Sequence, residues 1–97
     1  MRYAVKWSPE AERTYKIILE YLLERWTERE LNNFIDRTDA VINFIIQNPK
    51  QYIYSKKMRV YCAVLTKHVS LYYRLEQQTI ELLLFWDNRK DPASLKL

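Results

Sequence analysis

Residues 60–86 read VYCAVLTKHVSLYYRLEQQTIELLLFW, and this stretch decides the fold. Apolar and polar side chains alternate along it with a period of two, which is typical of half-buried β-strands. Three strands fit the pattern, at about 60–66, 68–75 and 79–86. The connections between them are too short for a parallel crossover. The stretch therefore predicts an antiparallel three-strand meander.

The last two strands of this meander each have one apolar face. The side chains expected to pack on the rest of the protein are Val69, Leu71, Tyr73, Ile80, Leu82 and Leu84. A one-residue slip of the strand register would turn this set to solvent. A register that keeps the set on the buried face places Arg74 opposite either Glu81 or Thr79. The first register needs a two-residue turn at Gln77-Gln78, and the second needs a four-residue turn. Glutamine is poor at the positive φ of two-residue turns, so the sequence favours the longer one.

The first half of the chain has a strand followed by two helical segments. Residues 2–7 alternate, and Ser8-Pro9 then supplies an N-cap and a first helical position for a helix that ends near Arg25. Residues 27–30 spell a capping box, so a second helix begins at once and ends at Asn48-Pro49. The pair is expected to form an antiparallel helical hairpin.

These elements together predict an α+β fold. It consists of a strand, a helical hairpin and a three-strand antiparallel meander, with both helices packed on one sheet face. A chain of 97 residues fits one domain, so we expect residues 1–97 to form a single domain.

The composition excludes several classes of function. Glycine is absent, which excludes the glycine-rich phosphate loops of ATPases, kinases and dehydrogenases. One cysteine and one histidine supply neither a disulfide nor a four-ligand zinc site. We therefore expect no cofactor and no metal. The sequence has no apolar run of about 18 residues and no signal-peptide pattern at its start, so a cytoplasmic protein without membrane contact is expected.

The positive charge is concentrated in the second half of the chain. The net charge is +4, but residues 1–49 hold 7 Lys/Arg against 8 Asp/Glu, whereas residues 50–97 hold 9 against 4. This asymmetry favours an anionic partner, either a nucleic acid or an acidic protein. An ordinary basic surface that keeps the protein soluble is the alternative.

Four short segments carry a resemblance to a known family. They are VKWSPEA at residues 5–11, KH and LYYRL at 67–68 and 71–75, and FWDNRKDP at 85–92. In this order and spacing, the chain resembles the RelE/ParE superfamily of bacterial toxins, in particular the ParE-like members called plasmid stabilisation proteins. The resemblance implies the toxin of a type II toxin-antitoxin system, neutralised by a cognate acidic antitoxin. Operator DNA would be contacted only through the antitoxin complex.

The resemblance implies one of two activities. ParE-like toxins inhibit DNA gyrase by binding it, whereas RelE-like toxins cut mRNA on the ribosome with a set of basic groups. At the positions of three of those groups this chain has Tyr61, Ala63 and Ser70. The post-strand arginine position falls near Arg89 or Lys90, and the C-terminal tyrosine position falls near Lys96. Gyrase binding is therefore favoured. A ribosome-dependent endoribonuclease, a non-toxic nucleic-acid-binding module and a toxin that has lost its activity remain alternatives.

Four basic residues are candidates for contact with the target or the antitoxin: Arg59, Lys67, Arg74 and Arg89. Arginine suits such contacts because its planar fork binds a carboxylate or a phosphate through two hydrogen bonds. A solvated basic surface is the alternative for each, and Arg74 has the further alternative of a cross-strand pair with Glu81. His68 is expected in a surface turn, with a general base as the alternative. Trp26 is expected mainly to anchor the packing of the helices, with an exposed indole at a partner groove as the alternative.

Overall fold

The computed structural model describes residues 3–97, and Met1 and Arg2 lie outside the described part. The elements, in chain order, are β1 Ala4–Trp7, α1 Pro9–Arg25, α2 Glu28–Gln47, β2 Ile53–Ser55, β3 Val60–Val64, β4 Val69–Glu76, β5 Thr79–Asp87 and a short 3-10 helix Pro92–Ser94. The strands form one five-stranded sheet in the order β1-β5-β4-β3-β2. Two helices packed on a sheet confirm the predicted α+β class.

Both helices begin at the residues that the capping patterns predict. Ser8 Oγ accepts a hydrogen bond of 3.0 Å from the Ala11 amide. Thr27 Oγ1 accepts one of 3.2 Å from the Glu30 amide. Trp26 caps the C-terminus of α1 and Thr27 caps the N-terminus of α2, so the hairpin has almost no loop.

The sheet contains a strand that the sequence did not predict. β2 pairs antiparallel with β3, with Tyr54 opposite Tyr61. It is a three-residue edge strand without a buried side chain, and Ile53 is 75% exposed. Because neither of its faces is buried, β2 has no alternation of apolar and polar residues to reveal it. At the other edge, β1 pairs parallel to β5.

The turn between β4 and β5 corrects one prediction. Glu76 lies opposite Thr79 and Arg74 lies opposite Glu81, so the turn has two residues and the predicted longer turn is wrong. Gln77 adopts a φ of 52°. Such a conformation costs roughly 1–2 kcal/mol for a residue with a Cβ atom. The pairing of β5 with β4 on one side and with β1 on the other offsets this cost. The Ala4 amide of β1 also donates a hydrogen bond to the Gln78 carbonyl at 2.9 Å.

Replacing Gln77 with glycine is expected to stabilise the protein by about 0.5–1 kcal/mol. Glycine removes the steric cost of positive φ, but it also increases the entropy of the unfolded chain, which cancels part of the increase in the free energy of unfolding. Urea denaturation measures the difference. Gln78→Gly is the matched control, since Gln78 does not have a positive φ, and it should destabilise the protein. Equal effects of the two substitutions would contradict the left-handed conformation of Gln77.

A β-bulge in β5 changes which side chains face the helices. Tyr72 lies opposite Leu84, but Tyr73 lies opposite Leu82, so Leu83 is the extra residue. Beyond the bulge the faces exchange. Phe85 is therefore part of the core, whereas Leu84, although only 6% exposed, lies on the other face. The prediction that Leu84 packs under the helices is wrong, and the core side chains on these two strands are Leu71, Tyr73, Ile80, Leu82 and Phe85.

Helix α1 provides partners for the backbone groups that the bulge leaves unpaired. Ser8 Oγ donates to the Leu83 carbonyl at 2.8 Å. Thr14 Oγ1 accepts from the Phe85 amide at 2.9 Å. The Phe85 ring packs on Trp7 and Tyr15, with centroid distances of 5.5 and 4.8 Å. These contacts explain why the sheet departs from a regular ladder, since buried backbone groups must be hydrogen-bonded.

Candidate partner-binding groove

An open groove of about 640 Å³ lies between the helical hairpin and one end of the sheet. We call it the hairpin groove. Its walls come from α1, α2, the β3–β4 turn and the end of β5. The apolar side chains that line it are Ile17, Ile18, Leu22, Trp26, Phe34, Val69 and Phe85. A groove of this size, lined mainly by apolar groups, is typical of a binding site.

Helix α1 leaves much of its apolar surface uncovered. Ala11 is its fully buried residue, whereas Ile17 is 50% and Trp26 is 52% exposed. Trp26 therefore fits the alternative of an indole exposed at a groove better than that of a packing anchor. Contiguous exposed apolar side chains at a groove are typical of a surface that contacts a partner.

The rim of the groove has a positive charge excess. Its ionised side chains are the cations Arg13, Arg37, Arg89 and Lys90 and the anions Glu30 and Asp87. Arg37 reaches across from α2, and its Nε donates to the Leu65 carbonyl at 3.1 Å. Lys90 Nζ lies 5.7 Å from the centroid of the Trp86 ring. An apolar floor with a cationic rim suits an acidic, amphipathic partner.

Arg89 is held in place on the rim by two neighbours. Its Nε and Nη2 donate to the two Asp87 carboxylate oxygens at 3.0 and 2.9 Å. Its guanidinium also lies 5.8 Å from the centroid of the Tyr21 ring. The hydrogen bonds from Arg89 hold the pKa of Asp87 below its usual range. The hydrogen bonds to Asp87 raise the pKa of Arg89. Arg89 thus joins the end of β5 to α1 as a fixed cation.

The four predicted basic residues do not form one cluster. Arg89 lines the hairpin groove, and Lys67 is exposed in the β3–β4 turn at the same end of the sheet. Arg59 follows β2 at the opposite end and lines a different pocket. Arg74 lies on the sheet face away from the helices, where its Nη1 is 3.6 Å from Glu81 Oε1. The cross-strand pair considered as the alternative for Arg74 is therefore present.

His68 lies in an exposed turn, as predicted, and also lines the hairpin groove. Its carbonyl accepts a hydrogen bond of 2.7 Å from the Asn88 amide, which ties the turn to the segment after β5. Arg13, Arg37 and Ile17 were not predicted from the sequence as site residues. The only signal in the sequence was for Ile17: the apolar stripe on the first helix is wider than one buried face requires.

The positions that the resemblance pairs with RNA-cleaving groups are largely closed to solvent. Ala63 is fully buried and Ser70 is 2% exposed. The Ser70 hydroxyl donates to Asn88 Oδ1 at 3.1 Å. The Tyr61 ring stacks on Tyr73 with a centroid distance of 5.2 Å. In this arrangement Ser70 and Ala63 serve packing.

Two kinds of feature are absent from residues 3–97. No cluster of three or more His, Cys, Asp or Glu side chains is placed to hold a metal ion. None of the helices in this range is long and apolar enough to cross a bilayer.

The chain is thus a small α+β domain with an open, largely apolar groove beside its helical hairpin. No protein-family model matches the sequence, and no curated protein matches it. Solved structures do match. A chain described as the chromosomal ParDE TA system from P. aeruginosa superposes with a TM-score of 0.73 at 15% identity, over 89% of this chain and 96% of that one. A chain of the E. coli DinJ-YafQ toxin-antitoxin complex superposes with a TM-score of 0.65 at 8% identity, over 92% and 96%.

A third similar structure is the YoeB/ParE toxin from Agrobacterium tumefaciens. Its TM-score is 0.59 at 11% identity, over 87% of this chain and 97% of that one. The chain therefore has the fold of the RelE/ParE toxins. The resemblance predicted from the sequence is confirmed for the fold.

Proposed function

We propose that this chain is the toxin of a type II toxin-antitoxin pair and that a separately encoded acidic antitoxin holds it inactive in the cytoplasm. The observation that carries the proposal is the hairpin groove, in which exposed apolar side chains lie inside a rim with excess positive charge. Two of the similar structures are described as a ParDE TA system and as a DinJ-YafQ toxin-antitoxin complex. Operator DNA is contacted only through the complex with the antitoxin.

The occupant of the groove is an amphipathic segment of the antitoxin. Its apolar side chains cover Ile17 and Trp26, which gains roughly 25 cal/mol for each Å² of apolar surface removed from water. Its carboxylates face Arg37 and Lys90 on the rim, since Arg13 is already paired with Glu10 at 2.7 Å. Complementary charge speeds association and fixes the orientation of the segment.

Growth arrest by binding DNA gyrase is the activity that we propose for the free toxin. Binding needs no general acid or base. Ala63 is buried and Ser70 is bonded to Asn88, at positions where the resemblance places basic groups of an RNA-cleaving site. Arg59, Lys67, Arg74 and Arg89 remain the candidates for contact with the target or the antitoxin. Of these, Arg89 and Lys67 lie closest to the hairpin groove in the fold.

One observation favours a second candidate, the ribosome-dependent mRNA endoribonuclease. His68 shares the groove with Arg89 and Lys90. An imidazole and cations in one groove are groups of the kind that acid-base cleavage of a phosphodiester uses. This route would keep only the post-strand basic position, near Arg89 or Lys90, of the set that the resemblance implies.

The antitoxin proposal is tested by expressing the chain from its native locus together with the adjacent gene. We expect a stable complex with a short acidic protein. Ile17→Asp should weaken the complex about tenfold or more, because it removes an apolar contact and places a negative charge against an acidic partner. Affinity is measured by calorimetry on the separated and recombined proteins.

Val64→Asp is the matched control for this experiment. Val64 is 52% exposed, close to the 50% of Ile17, but it lies on the sheet and does not line the groove. Its substitution should leave the affinity unchanged, and circular dichroism checks that both variants fold. Purification of the free chain alone from the two-gene locus, or equal weakening by both substitutions, would contradict the proposal.

A further inference from the structure

A second pocket, of about 390 Å³, lies at the end of the sheet opposite the hairpin groove. We call it the tyrosine pocket. Its lining includes the phenol rings of Tyr3, Tyr54 and Tyr61 and the cations Lys50 and Arg59, and no carboxylate is among its described lining residues. Aromatic rings and unopposed cations in one cavity suit a ligand that has both a flat ring and a negative charge.

The aromatic wall of the tyrosine pocket is rigid. The Tyr61 ring stacks on Tyr73 with an interplanar angle of 12°. Tyr73 is fixed in turn, since its hydroxyl donates to the Pro49 carbonyl at 2.7 Å. The Tyr54 ring packs on Tyr61 with a centroid distance of 4.8 Å and is 46% exposed. Tyr54 therefore presents ring surface to a ligand from a fixed base.

Backbone strain is concentrated around this pocket. Within residues 3–97, positive φ occurs at Arg59 and Gln77, with values of 59° and 52°, and both residues line the tyrosine pocket. The Arg59 conformation is held by its amide, which donates to the Ser55 carbonyl at 2.7 Å. Two strained residues at one cavity are typical of a binding site, because strain persists where the surroundings impose it.

The two cations of the pocket are available to a ligand. In the described part of the chain, neither Lys50 nor Arg59 lies within ion-pair distance of a carboxylate. Arg74, by contrast, is paired with Glu81 and Arg89 with Asp87. An arginine without an internal partner keeps all of its five donors for a bound anion.

We propose that the tyrosine pocket binds a nucleoside phosphate. The base stacks on Tyr54, and Arg59 and Lys50 hold the phosphate. Binding through side-chain cations needs no glycine-rich loop, so the absence of glycine does not oppose it. The volume lies within the roughly 300–1,000 Å³ of small-molecule sites. This site is separate from the hairpin groove and does not depend on the antitoxin proposal.

The ligand has two sources, a free nucleotide or the terminal nucleotide of a nucleic-acid strand. Calorimetry on the full chain distinguishes them with three probes: AMP, inorganic phosphate, and a single-stranded RNA hexanucleotide with a terminal 5′-phosphate. Binding of AMP indicates a free nucleotide, and binding of the oligonucleotide alone indicates a strand end. Both results support the site.

The variants identify the contacts. Arg59→Asn removes the guanidinium but keeps a residue that tolerates the left-handed conformation. It should weaken nucleotide binding about tenfold or more. Lys57→Asn removes one charge from the same turn outside the pocket and should leave binding unchanged. Tyr54→Leu should weaken AMP binding but not the binding of inorganic phosphate.

Three results would overturn the proposal. They are no binding of AMP or the oligonucleotide, equal weakening by Arg59→Asn and Lys57→Asn, and no effect of Tyr54→Leu on AMP. Tyr54→Leu is expected to keep its affinity for the antitoxin, because Tyr54 lines the tyrosine pocket and not the hairpin groove, so failure of the nucleotide site is distinguishable from failure of the antitoxin proposal. Thermal melting checks that each variant folds.

Discussion

Replacing Phe85 with alanine is expected to lower the free energy of unfolding by about 3–5 kcal/mol. The side chain is 3% exposed and lies in the core through the bulge at Leu83. Its ring contacts Trp7 of β1 and Tyr15 of α1. Truncation therefore leaves a cavity where three elements meet. Urea denaturation followed by circular dichroism measures the loss.

Two further substitutions test whether the loss of stability at Phe85 arises because the bulge places its side chain in the core. Val64→Ala, at an exposed position of the same sheet, should cost less than about 1 kcal/mol. Thr14→Val keeps the shape of the side chain but removes the oxygen that accepts from the Phe85 amide, and it should cost about 1–3 kcal/mol. If Phe85→Ala were as mild as Val64→Ala, the ladder would be regular and Leu84 would occupy the core, as the alternation of the sequence predicted.

The helices and the order of elements were predictable because their signals are local. Ser8 and Thr27 cap helices within three residues of themselves, and the meander shows its period over neighbouring residues. The bulge has no local signal. It depends on hydroxyl groups of Ser8 and Thr14, which lie 75 and 71 residues away in sequence from their backbone partners in β5.

The two-residue turn was missed for a related reason. Local preference disfavours Gln77 at positive φ. In the fold, however, β5 is paired with β4 on one side and with β1 on the other. The register is thus set by the whole sheet, and the turn adopts the conformation that this register requires. β2 was missed because it is an edge strand with no buried side chain.

The candidate site was only partly predictable from charge. The sequence placed the positive excess in residues 50–97 and predicted an anionic partner for that half. In the structure, Arg13 and Arg37 from the first half join Arg89 and Lys90 on one rim. Helix packing brings these cations together, so the net charge of each half could not reveal the groove. The same packing separates Arg59 and Arg74 from Arg89.

The purified chain is expected to inhibit DNA supercoiling by gyrase and to leave ribosome-bound mRNA intact. Arg89→Ala should weaken gyrase inhibition by about 10- to 100-fold, the equivalent of one charge-assisted hydrogen bond of roughly 1.5–3 kcal/mol. Arg89 uses Nε and Nη2 for Asp87. Its remaining N–H donors stay free for a target, since a guanidinium has five.

Lys16→Ala is the control, because it removes one charge from an exposed position of α1 that does not line the groove. It should inhibit supercoiling as well as the unmodified chain does. A graded loss at Arg89 fits a binding contact, whereas loss of a general acid or base lowers a chemical rate by about 10²- to 10⁴-fold. Both assays use the same preparation.

Codon-specific cleavage of mRNA together with normal supercoiling would instead establish the endoribonuclease. The cleavage should then be abolished by His68→Ala, because His68 is the one histidine of the chain.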